Sequence, residues 1–321
     1  GWFARFNRKI ELAAACDVSA ARAQAYARRF NIPRTFTAYE AMLGEVDLDA
    51  LYLAVPHHVH YEMIATAVAH RLPVFTEKPI TRTLAEGEKI ARLAAEQGVK
   101  VGVNYQYRYD SGCHRMARAV QNGDLGAILA ARINVPWHRK AAYFEQAAWH
   151  GKIATAGGGT LITQGSHFLD VVLWALRGDQ PRTAVGYVAQ RKFGKSMAVD
   201  VEDLAQGIVE MESGALVQIC SSMVASSEQA VSVEMYGERG TAVYSPAPLP
   251  RVEFRAVAVQ AQKPPHRGVH ALQRSLEGFR AWIMADTPYL IPAPEALPAL
   301  AVVEALYRSA ASGRRERIEM R

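Results

Sequence analysis

Short apolar segments alternate with helical segments over the first 105 residues of the chain, and this alternation restricts the fold more than any other feature. The predicted strands cover residues 10–16, 50–55, 74–76 and 99–104, and helical patterns lie between them. Strands separated by helices at this spacing are typical of a doubly wound parallel sheet. We therefore predict an α/β domain over residues 1–105.

The most informative short stretch covers residues 72–81. A buried strand pattern stops at Thr76 and is followed by Glu77, Lys78 and Pro79. Proline has no amide hydrogen for a strand ladder, so the acid and the base stand at the carboxyl end of the strand. Ligands bind at this end of the strands in an open parallel sheet, which makes Lys78 a candidate for chemistry. The alternative is an ordinary surface ion pair.

Asp17 follows the first predicted strand. An acid there indicates a dinucleotide fold of the Rossmann type, in which Asp17 would bind the ribose hydroxyls of adenosine. A turn or helix-cap acid is the alternative. The glycine-rich phosphate loop of that fold lies about 20 residues before the acid, which is upstream of Gly1. No G-x-G-x-x-G pattern occurs, and Trp2, Phe3 and Phe6 indicate a helix already under way. We therefore expect an amino-terminally truncated copy without the first strand and the phosphate loop.

The pattern changes in residues 106–321, where the predicted strands alternate between apolar and polar side chains. These strands cover residues 128–137, 183–190, 203–210, 215–221 and 232–236. Such alternation predicts a large, mostly antiparallel sheet with an open face. The predicted helices of this part cover residues 167–176, 271–284 and 294–309. We therefore predict a second, α+β domain over residues 106–321, which binds the substrate.

Composition and charge argue against several classes of protein. The net charge of +6 comes from lysines and arginines spread over the chain, which gives little support to nucleic acid and mildly favours anionic small molecules as partners. No apolar run approaches the roughly 20 residues of a membrane-spanning helix, so no membrane is expected as a partner. Three distant cysteines without a CxxC pattern predict neither a disulfide framework nor a zinc site and fit a cytoplasmic location. His57, His58 and His60 have no carboxylate at ligand spacing, so we expect no metal.

A second informative stretch runs from Gly157 to Asp170. Its three consecutive glycines would let the backbone approach a ligand closely. His167 and Asp170 lie three residues apart in a predicted helix and therefore share a face, where Asp170 would orient the imidazole. A core histidine that is satisfied by its neighbour is the alternative.

Several short motifs follow one another along the chain. They are Leu53-Ala54-Val55-Pro56 with His60, Glu77-Lys78-Pro79, Tyr107-Arg108-Tyr109-Asp110, the three glycines with His167 and Asp170, Val201-Glu202-Asp203, Gly237-Glu238-Arg239-Gly240 and Glu304-Ala305-Leu306-Tyr307-Arg308-Ser309. In this order they resemble the glucose-fructose oxidoreductase / inositol dehydrogenase / MocA (Gfo/Idh/MocA) family over nearly the whole chain. The resemblance implies a nicotinamide-binding domain followed by an open-faced sheet domain, with the substrate between them.

The resemblance also implies roles for individual residues. Lys78 would be the general acid/base, and His167 with Asp170 would contact the substrate hydroxyls. The residues expected around the cofactor are Asp17, Pro56, His60, Glu77, Pro79 and Asn104. The other residues expected near the substrate are Arg108, Tyr143, Trp149 and Thr163. Ordinary core packing is the alternative for the two aromatic residues. The peptide bond before Pro79 is often cis in this family, which only a proline readily allows.

One position departs from the pattern of inositol dehydrogenases. Those enzymes usually carry an aspartate four residues before the histidine, where this chain has Thr163. A threonine hydroxyl donates or accepts a hydrogen bond but does not take up a proton at neutral pH. Proton transfer then falls on Lys78, alone or with His167, and a pyranoside or nucleotide sugar is favoured over inositol.

The activity that this resemblance implies is hydride transfer between NAD and a secondary alcohol of a sugar, nucleotide sugar or cyclitol. NADP is less expected because Asp17 would repel a 2′-phosphate and Val18 offers no positive charge. Two alternatives stay open. One is a non-enzymatic sugar or dinucleotide sensor on the same fold, and the other is glycoside cleavage through transient oxidation by NAD. A homo-oligomer formed through the open sheet face is also expected.

Overall fold

The computed structural model describes residues 9–194, 197–246, 249–260 and 262–320. The helix predicted around Trp2, Phe3 and Phe6 lies outside these residues. Within them, a region of parallel strands is followed by a region built on one large sheet.

The first region alternates strands with helices, as the sequence predicts. Its strands are β1 (Ala14–Cys16), β2 (Arg34–Phe36), β3 (Leu51–Leu53), β4 (Val74–Glu77) and β5 (Val101–Asn104). Its helices are α1 (Ala20–Phe30), α2 (Tyr39–Glu45), α3 (His60–Ala69) and α4 (Leu84–Gln97). The strands pair in parallel in two groups, β1 with β2 and β3–β4–β5. The prediction of a Rossmann-like parallel sheet is confirmed, although the strand predicted from Ile10 begins only at Ala14.

Local signals set the ends of two of these helices. The Ser19 hydroxyl accepts a hydrogen bond from the amide of Arg22 and caps α1. The Thr83 hydroxyl does the same for the amide of Glu86 at the start of α4. That helix ends at Gly98, which adopts φ 65° in the left-handed region. Both ends of α4 therefore agree with the capping pattern in the sequence.

The second region contains the remaining helices and strands. Its helices are α5 (Ser111–Gln121), α6 (Ala142–Glu145), α7 (Ile153–Ala156), α8 (Ser166–Ala175), α9 (Ala271–Ala285) and α10 (Leu297–Ser312). Its strands are β6 (Ile128–Pro136), β7 (Pro181–Ala189), β8 (Leu204–Met211), β9 (Leu216–Ser222), β10 (Ser232–Gly237), β11 (Thr241–Ser245), β12 (Arg251–Arg255) and β13 (Glu316–Arg317). A π-helical turn, Leu161–Gly165, leads into α8.

The eight strands of this region form one sheet in the order β12-β11-β10-β6-β9-β8-β7-β13. Only β6 and β9 pair in parallel, so the predicted mostly antiparallel sheet is confirmed. The five predicted strands correspond to β6–β10 at the centre of the sheet, whereas β11, β12 and β13 were not predicted. Two of these, β12 and β13, form the edges of the sheet, and an edge strand has one free side and a weaker apolar pattern.

Helix α10 lies against the sheet where two paired strands carry glycine. Gly186 in β7 is opposite Gly207 in β8. A Cβ atom at either position would collide with Leu306 of α10, so the absence of side chains allows the helix to approach the strands closely. The amide of Gly186 also donates to the Ser309 hydroxyl of the helix at 3.0 Å. This contact covers one face of the sheet and leaves the other face open.

In the described part of the chain, no helix combines the length and the apolar character needed to cross a membrane. The division into domains at residue 105 stays a prediction.

Candidate active site

Polar side chains collect at the carboxyl ends of the parallel strands. Glu77 ends β4 opposite Asn104, which ends β5. The Asn104 amide donates to Glu77 Oε1 at 2.9 Å, and the Tyr52 hydroxyl donates to the same oxygen. Ser275 of α9 donates to Asn104 Oδ1 at 3.0 Å. These hydrogen bonds hold Glu77 and Asn104 in fixed positions at the edge where ligands bind in such sheets.

Lys78 leaves this edge and reaches the second region. Its Nζ donates to the backbone carbonyl of Thr163 at 2.5 Å. Burial lowers the pKa of Lys78 to about 8, while Glu77 raises it and the charge of Arg139 lowers it. The Lys78–Pro79 peptide bond is cis, as the family resemblance implies. The half-buried amine is therefore able to hold or release a proton near neutral pH.

His60 acts as a brace between two loops. One ring nitrogen contacts the carbonyl of Pro79 at 2.9 Å, and the other contacts the carbonyl of Val55 at 3.0 Å. Burial lowers the pKa of His60, and both carbonyls oppose this shift. The ring holds the segment after β3, which contains Pro56, next to the segment that carries Lys78.

His167 lies on the first turn of α8 with its ring among aromatic side chains. The ring is edge-on to Tyr107 at 5.3 Å and to Trp137 at 6.4 Å between centroids. Burial, together with the charge of Lys78, holds the pKa of His167 well below its usual value. Its Nδ1 is shielded from solvent and has no hydrogen-bond partner in the structure. The imidazole is thus neutral near pH 7.

Asp170 does not orient His167, and this expectation from the sequence is wrong. Both carboxylate oxygens accept from Arg108, at 2.7 Å from Nη2 and 2.9 Å from Nε. Arg108 also donates to the Glu295 carboxylate at 2.9 Å and to the Leu290 carbonyl at 3.0 Å. The Asp170 carboxylate is directed to Arg108 in the core, and the arginine ties α8 to Leu290 and Glu295 in the segment before α10.

The three glycines also differ from the expectation, because their neighbours belong to the protein itself. A Cβ at Gly159 would collide with the carbonyl of Glu202, and one at Gly158 would collide with Tyr307. The Glu202 carboxylate accepts from the amides of Gly159 at 2.7 Å and Leu161 at 2.9 Å, and from the Tyr307 hydroxyl at 2.9 Å. The glycines therefore let the turn pack on a buried glutamate that positions the start of the π-helical turn.

Thr163 belongs to that π-helical turn. Its backbone carbonyl accepts from Lys78, and its hydroxyl donates to the carbonyl of Gly159 at 2.6 Å. The hydroxyl also opposes the rise in the pKa of Tyr143 that burial causes. Thr163 therefore lies next to both Lys78 and Tyr143.

Aromatic and histidine rings form a wall beside Lys78 and His167, and the place that these side chains border is the candidate substrate pocket. Tyr143 stacks on His150 at 4.4 Å and 13° between ring planes. Trp149 is edge-on to His57 at 4.8 Å. The charge of Lys78 lowers the pKa of both His57 and His150, although burial is the larger cause in each case. The structure therefore brings the predicted Tyr143 and Trp149 together with Lys78 and His167.

The sequence analysis missed three residues of this wall, His57, His150 and Arg139. The guanidinium of Arg139 lies over the Trp137 ring at 5.1 Å and over the Tyr143 ring at 5.3 Å. The signal available for Arg139 is its position three residues after the end of β6. That signal is too weak without the neighbours that the fold supplies.

Asp17 follows β1, at the edge of the first region. Its carboxylate accepts from the Ser19 amide at 2.8 Å and from the Arg22 guanidinium at 2.8 Å. The hydrogen bond from Arg22 is the main cause that lowers the pKa of Asp17. Asp17 is partly exposed, and it carries a negative charge at the position where the sequence predicts ribose binding.

The residues of the site indicate which cofactor or metal it can bind. Asp17, Glu77 and Asn104 all lie at carboxyl ends of parallel strands with polar atoms in place, which fits a dinucleotide. In the described residues no group of three or more metal-ligating side chains occurs. A parallel α/β region whose strand ends meet a lysine, a histidine and an aromatic wall is the arrangement of a dinucleotide-dependent oxidoreductase.

Comparison with known proteins identifies the family. Residues 2–105 match the model of the oxidoreductase family with an NAD-binding Rossmann fold, and residues 113–243 match the model of the GFO/IDH/MocA C-terminal domain. The chain belongs to the Gfo/Idh/MocA family of NAD-binding oxidoreductases and is an enzyme.

Three relatives illustrate the similarity. The chain is 26% identical to the 1,5-anhydro-D-fructose reductase of Ensifer adhaerens, over 96% of this chain and 91% of that protein. It is 26% identical to D-xylose 1-dehydrogenase (NADP(+)) 2 of Haloferax volcanii, over 94% of this chain and 90% of that protein. The WlbA dehydrogenase of Bordetella pertussis, crystallised with NADH and UDP-GlcNAcA, has a TM-score of 0.87 at 24% identity and covers 99% of this chain and 94% of that one.

Proposed function

We propose that the protein interconverts a secondary alcohol and a ketone in a sugar, nucleotide sugar or cyclitol, with NAD(H) as cofactor and Lys78 as general acid/base. The observation that carries this proposal is the half-buried Lys78 amine, whose pKa is lowered to about 8 and which donates to the backbone carbonyl of Thr163. A general base works best when its pKa lies near the working pH. The names of the relatives, among them a sugar reductase and a sugar dehydrogenase, support this substrate class.

The residues at the strand ends would hold the cofactor. Asp17 would bind the ribose hydroxyls, and Pro56, Pro79, Glu77 and Asn104 would border the nicotinamide end. When bound, NAD accepts the hydride from the carbon that carries the hydroxyl, and NADH returns it. His60 would keep the two loops at this end in place through its contacts with the carbonyls of Val55 and Pro79.

Lys78 would handle the proton of the reacting hydroxyl. In the direction of oxidation its neutral amine accepts the proton as the carbon–hydrogen bond breaks and a carbonyl forms. In the direction of reduction the ammonium donates the proton to the carbonyl oxygen. The neutral imidazole of His167 would donate a hydrogen bond to the same oxygen, because burial and the charge of Lys78 disfavour its protonation.

The substrate would lie between Lys78 and the aromatic wall. Tyr143 and Trp149 would pack on the sugar ring, and Thr163 would contact a hydroxyl. Arg108 and Asp170 are not part of this proposal, because each already fills the hydrogen bonds of the other in the core. Their contribution would be to hold α8, and therefore His167, in position.

The test is a panel of sugars, cyclitols and nucleotide sugars followed at the absorbance of reduced nicotinamide. A net increase with NAD, or a net decrease with NADH and the keto sugar, is the expected result. Product formation without net absorbance change would show glycoside cleavage through transient oxidation instead. Binding of sugar without any reaction would favour a sensor and contradict the proposal.

We also propose a homo-oligomer formed through the open sheet face. This face carries exposed apolar side chains on four strands, Tyr187, Ile208, Leu216 and Tyr236. Exposed apolar surface of this kind marks association sites. Light scattering is expected to give a mass above 35.3 kDa and a lower mass for Ile208→Glu. A monomer at micromolar concentration would contradict this proposal.

A further inference from the structure

Arg139 lies at the side of the pocket and neither takes up nor gives the proton in the proposed reaction, although its charge lowers the pKa of Lys78. The backbone around it is held from two sides. His138 forms a bridge with Val224, and its Nδ1 contacts the carbonyl of Ala225 at 2.6 Å. The Lys192 amine donates to the carbonyl of Arg139 at 3.4 Å. The side chain therefore starts from a fixed point beside the pocket.

The guanidinium is fixed as well, yet it lacks an anionic partner. It lies against the rings of Trp137 and Tyr143, and Nη1 donates to the carbonyl of His138 at 3.0 Å. Its Nε is shielded from solvent and has no acceptor. Among the described residues, no carboxylate lies within ion-pair distance of Arg139. A guanidinium stays charged at every relevant pH, so one without a carboxylate partner is a candidate to bind an anion from outside the chain.

The charges around the pocket favour an anion in this place. Arg139 lies over Tyr143, which stacks on His150 at 4.4 Å between ring centroids, and its charge lowers the pKa of Lys78. The neighbouring carboxylates are already engaged. Glu77 accepts from Asn104 and Tyr52, and Glu202 accepts from two backbone amides and a tyrosine. None of these contacts involves Arg139, so neither carboxylate pairs with its guanidinium in the described residues.

We propose that Arg139 binds an oxyanion carried by the substrate, so that the preferred sugar bears a carboxylate or a phosphate group. This inference rests on the proposed function and names a substrate class for the same site. The planar guanidinium offers parallel donors that match either oxyanion, which a lysine amine does not. The flanking rings of Trp137 and Tyr143 keep its plane in one orientation, with a cation–π contribution from each.

The experiment compares three probes, D-glucose, D-glucuronate and D-glucose 6-phosphate. Their binding is measured by tryptophan fluorescence, because Trp137 contacts Arg139, and their turnover is followed at the nicotinamide band with NAD. At least one anionic probe is expected to bind about tenfold more tightly than glucose. The probe that does so shows whether the site prefers a carboxylate or a phosphate. Tighter binding of neither anion would overturn the proposal.

The variants Arg139→Gln and Arg139→Lys separate charge from shape. Arg139→Gln is expected to lower the affinity for that anion at least tenfold. Arg139→Lys keeps the charge but not the parallel N–H donors of the guanidinium, and it is expected to lower the affinity less. Arg92→Gln is the matched control, since it removes one positive charge from an exposed position on α4. An equal loss of affinity in Arg92→Gln and in Arg139→Gln would show that the overall charge of the protein causes the effect. That result would overturn the proposal. Circular dichroism checks that each variant is folded.

The outcome also distinguishes this inference from the hydride-transfer proposal. Anion binding that depends on Arg139, without turnover in the unmodified protein, would support the oxyanion site while contradicting hydride transfer. Turnover with equal kcat/KM for charged and neutral probes, unaltered in Arg139→Gln, would overturn the oxyanion site and leave hydride transfer in place.

Discussion

Two cations, the buried Arg108 and the half-buried Lys78, lie within one molecule and have opposite surroundings. Arg108 is 3% exposed in its side chain and binds two carboxylates, Asp170 at 2.7 Å and Glu295 at 2.9 Å. Lys78 donates to the backbone carbonyl of Thr163, and in the described residues no carboxylate lies within ion-pair distance of its amine. The guanidinium of Arg108 thus has its charge compensated in the core, whereas the amine of Lys78 does not.

The difference separates a charged side chain that stabilises the fold from one that is available for proton transfer. A cation with paired carboxylates keeps its proton at every relevant pH and fixes the elements that carry its partners. A cation that has lost water without gaining a carboxylate has a lowered pKa and exchanges its proton readily. Arg108 therefore secures α8, and Lys78 is available to a substrate.

The largest expected effect comes from removing the Lys78 amine. Lys78→Met is expected to lower turnover by about 10²- to 10⁴-fold, the usual contribution of a general acid or base. The absorbance of reduced nicotinamide measures the rate. Fluorescence checks cofactor binding, in a protein that also includes any cofactor-binding segment upstream of Gly1. Lys89→Met, exposed on α4, is the control. Near-normal turnover of Lys78→Met would remove Lys78 from the mechanism.

The second effect concerns stability rather than rate. Arg108→Met leaves the Asp170 carboxylate buried without a partner, so the free energy of unfolding is expected to fall by about 3–5 kcal/mol. Urea denaturation measures it. The double variant Arg108→Met with Asp170→Leu should lose less than the single variant, because no unpaired charge stays in the core. An equal or larger loss in the double variant would mean that packing, not charge, sets the effect.

The third prediction uses pH to compare the two cations. The pKa of Lys78 is lowered to about 8, and its neutral form is the base, so kcat/KM for alcohol oxidation should rise with pH and level off above about 8. For carbonyl reduction the ammonium is required, so the rate should fall above the same pH. Arg139→Gln should move the midpoint upward, because the charge of Arg139 lowers the pKa of Lys78. A flat profile between pH 6 and pH 10 would contradict this role.

The smallest effect is expected at the partly exposed carboxylate of Asp17. Asp17→Asn removes a charged acceptor for the ribose hydroxyls and should raise the KM for NAD by about tenfold, as the loss of one charge-assisted hydrogen bond does. The unmodified protein should show a lower KM for NAD than for NADP. Initial rates with both cofactors test this, and a lower KM for NADP would show that Arg22 overrides the negative charge of Asp17.

Much of the first region was predictable because its signals are local. The capping residues Thr83 and Gly98 mark the ends of α4, and the proline after Lys78 marks the end of β4. Period-two alternation likewise identified the five central strands of the large sheet. The edge strands β12 and β13 were missed. A short strand that pairs on one side only has few alternating apolar residues by which its sequence could be recognised.

The candidate site was predictable only in part. Strand ends and ordered motifs point to Glu77, Lys78 and Pro79 at the end of β4 and to His167, and the structure joins Lys78 to Thr163, four residues before His167. Their catalytic and binding roles stay predictions. Asp170 was assigned to the wrong neighbour, since helical spacing identifies a shared side of a helix but not the distant Arg108 that fills it.

The sequence by itself determined the parallel α/β region, the open sheet that follows it and the position of a lysine at a strand end. These properties depend on residues that are near one another along the chain. Only the tertiary structure decided which charges are compensated, because the partners lie far apart in sequence: 62 residues separate Arg108 from Asp170, and 85 separate Lys78 from Thr163. Burial and pairing together determine pKa, and both arise only when distant segments pack against each other.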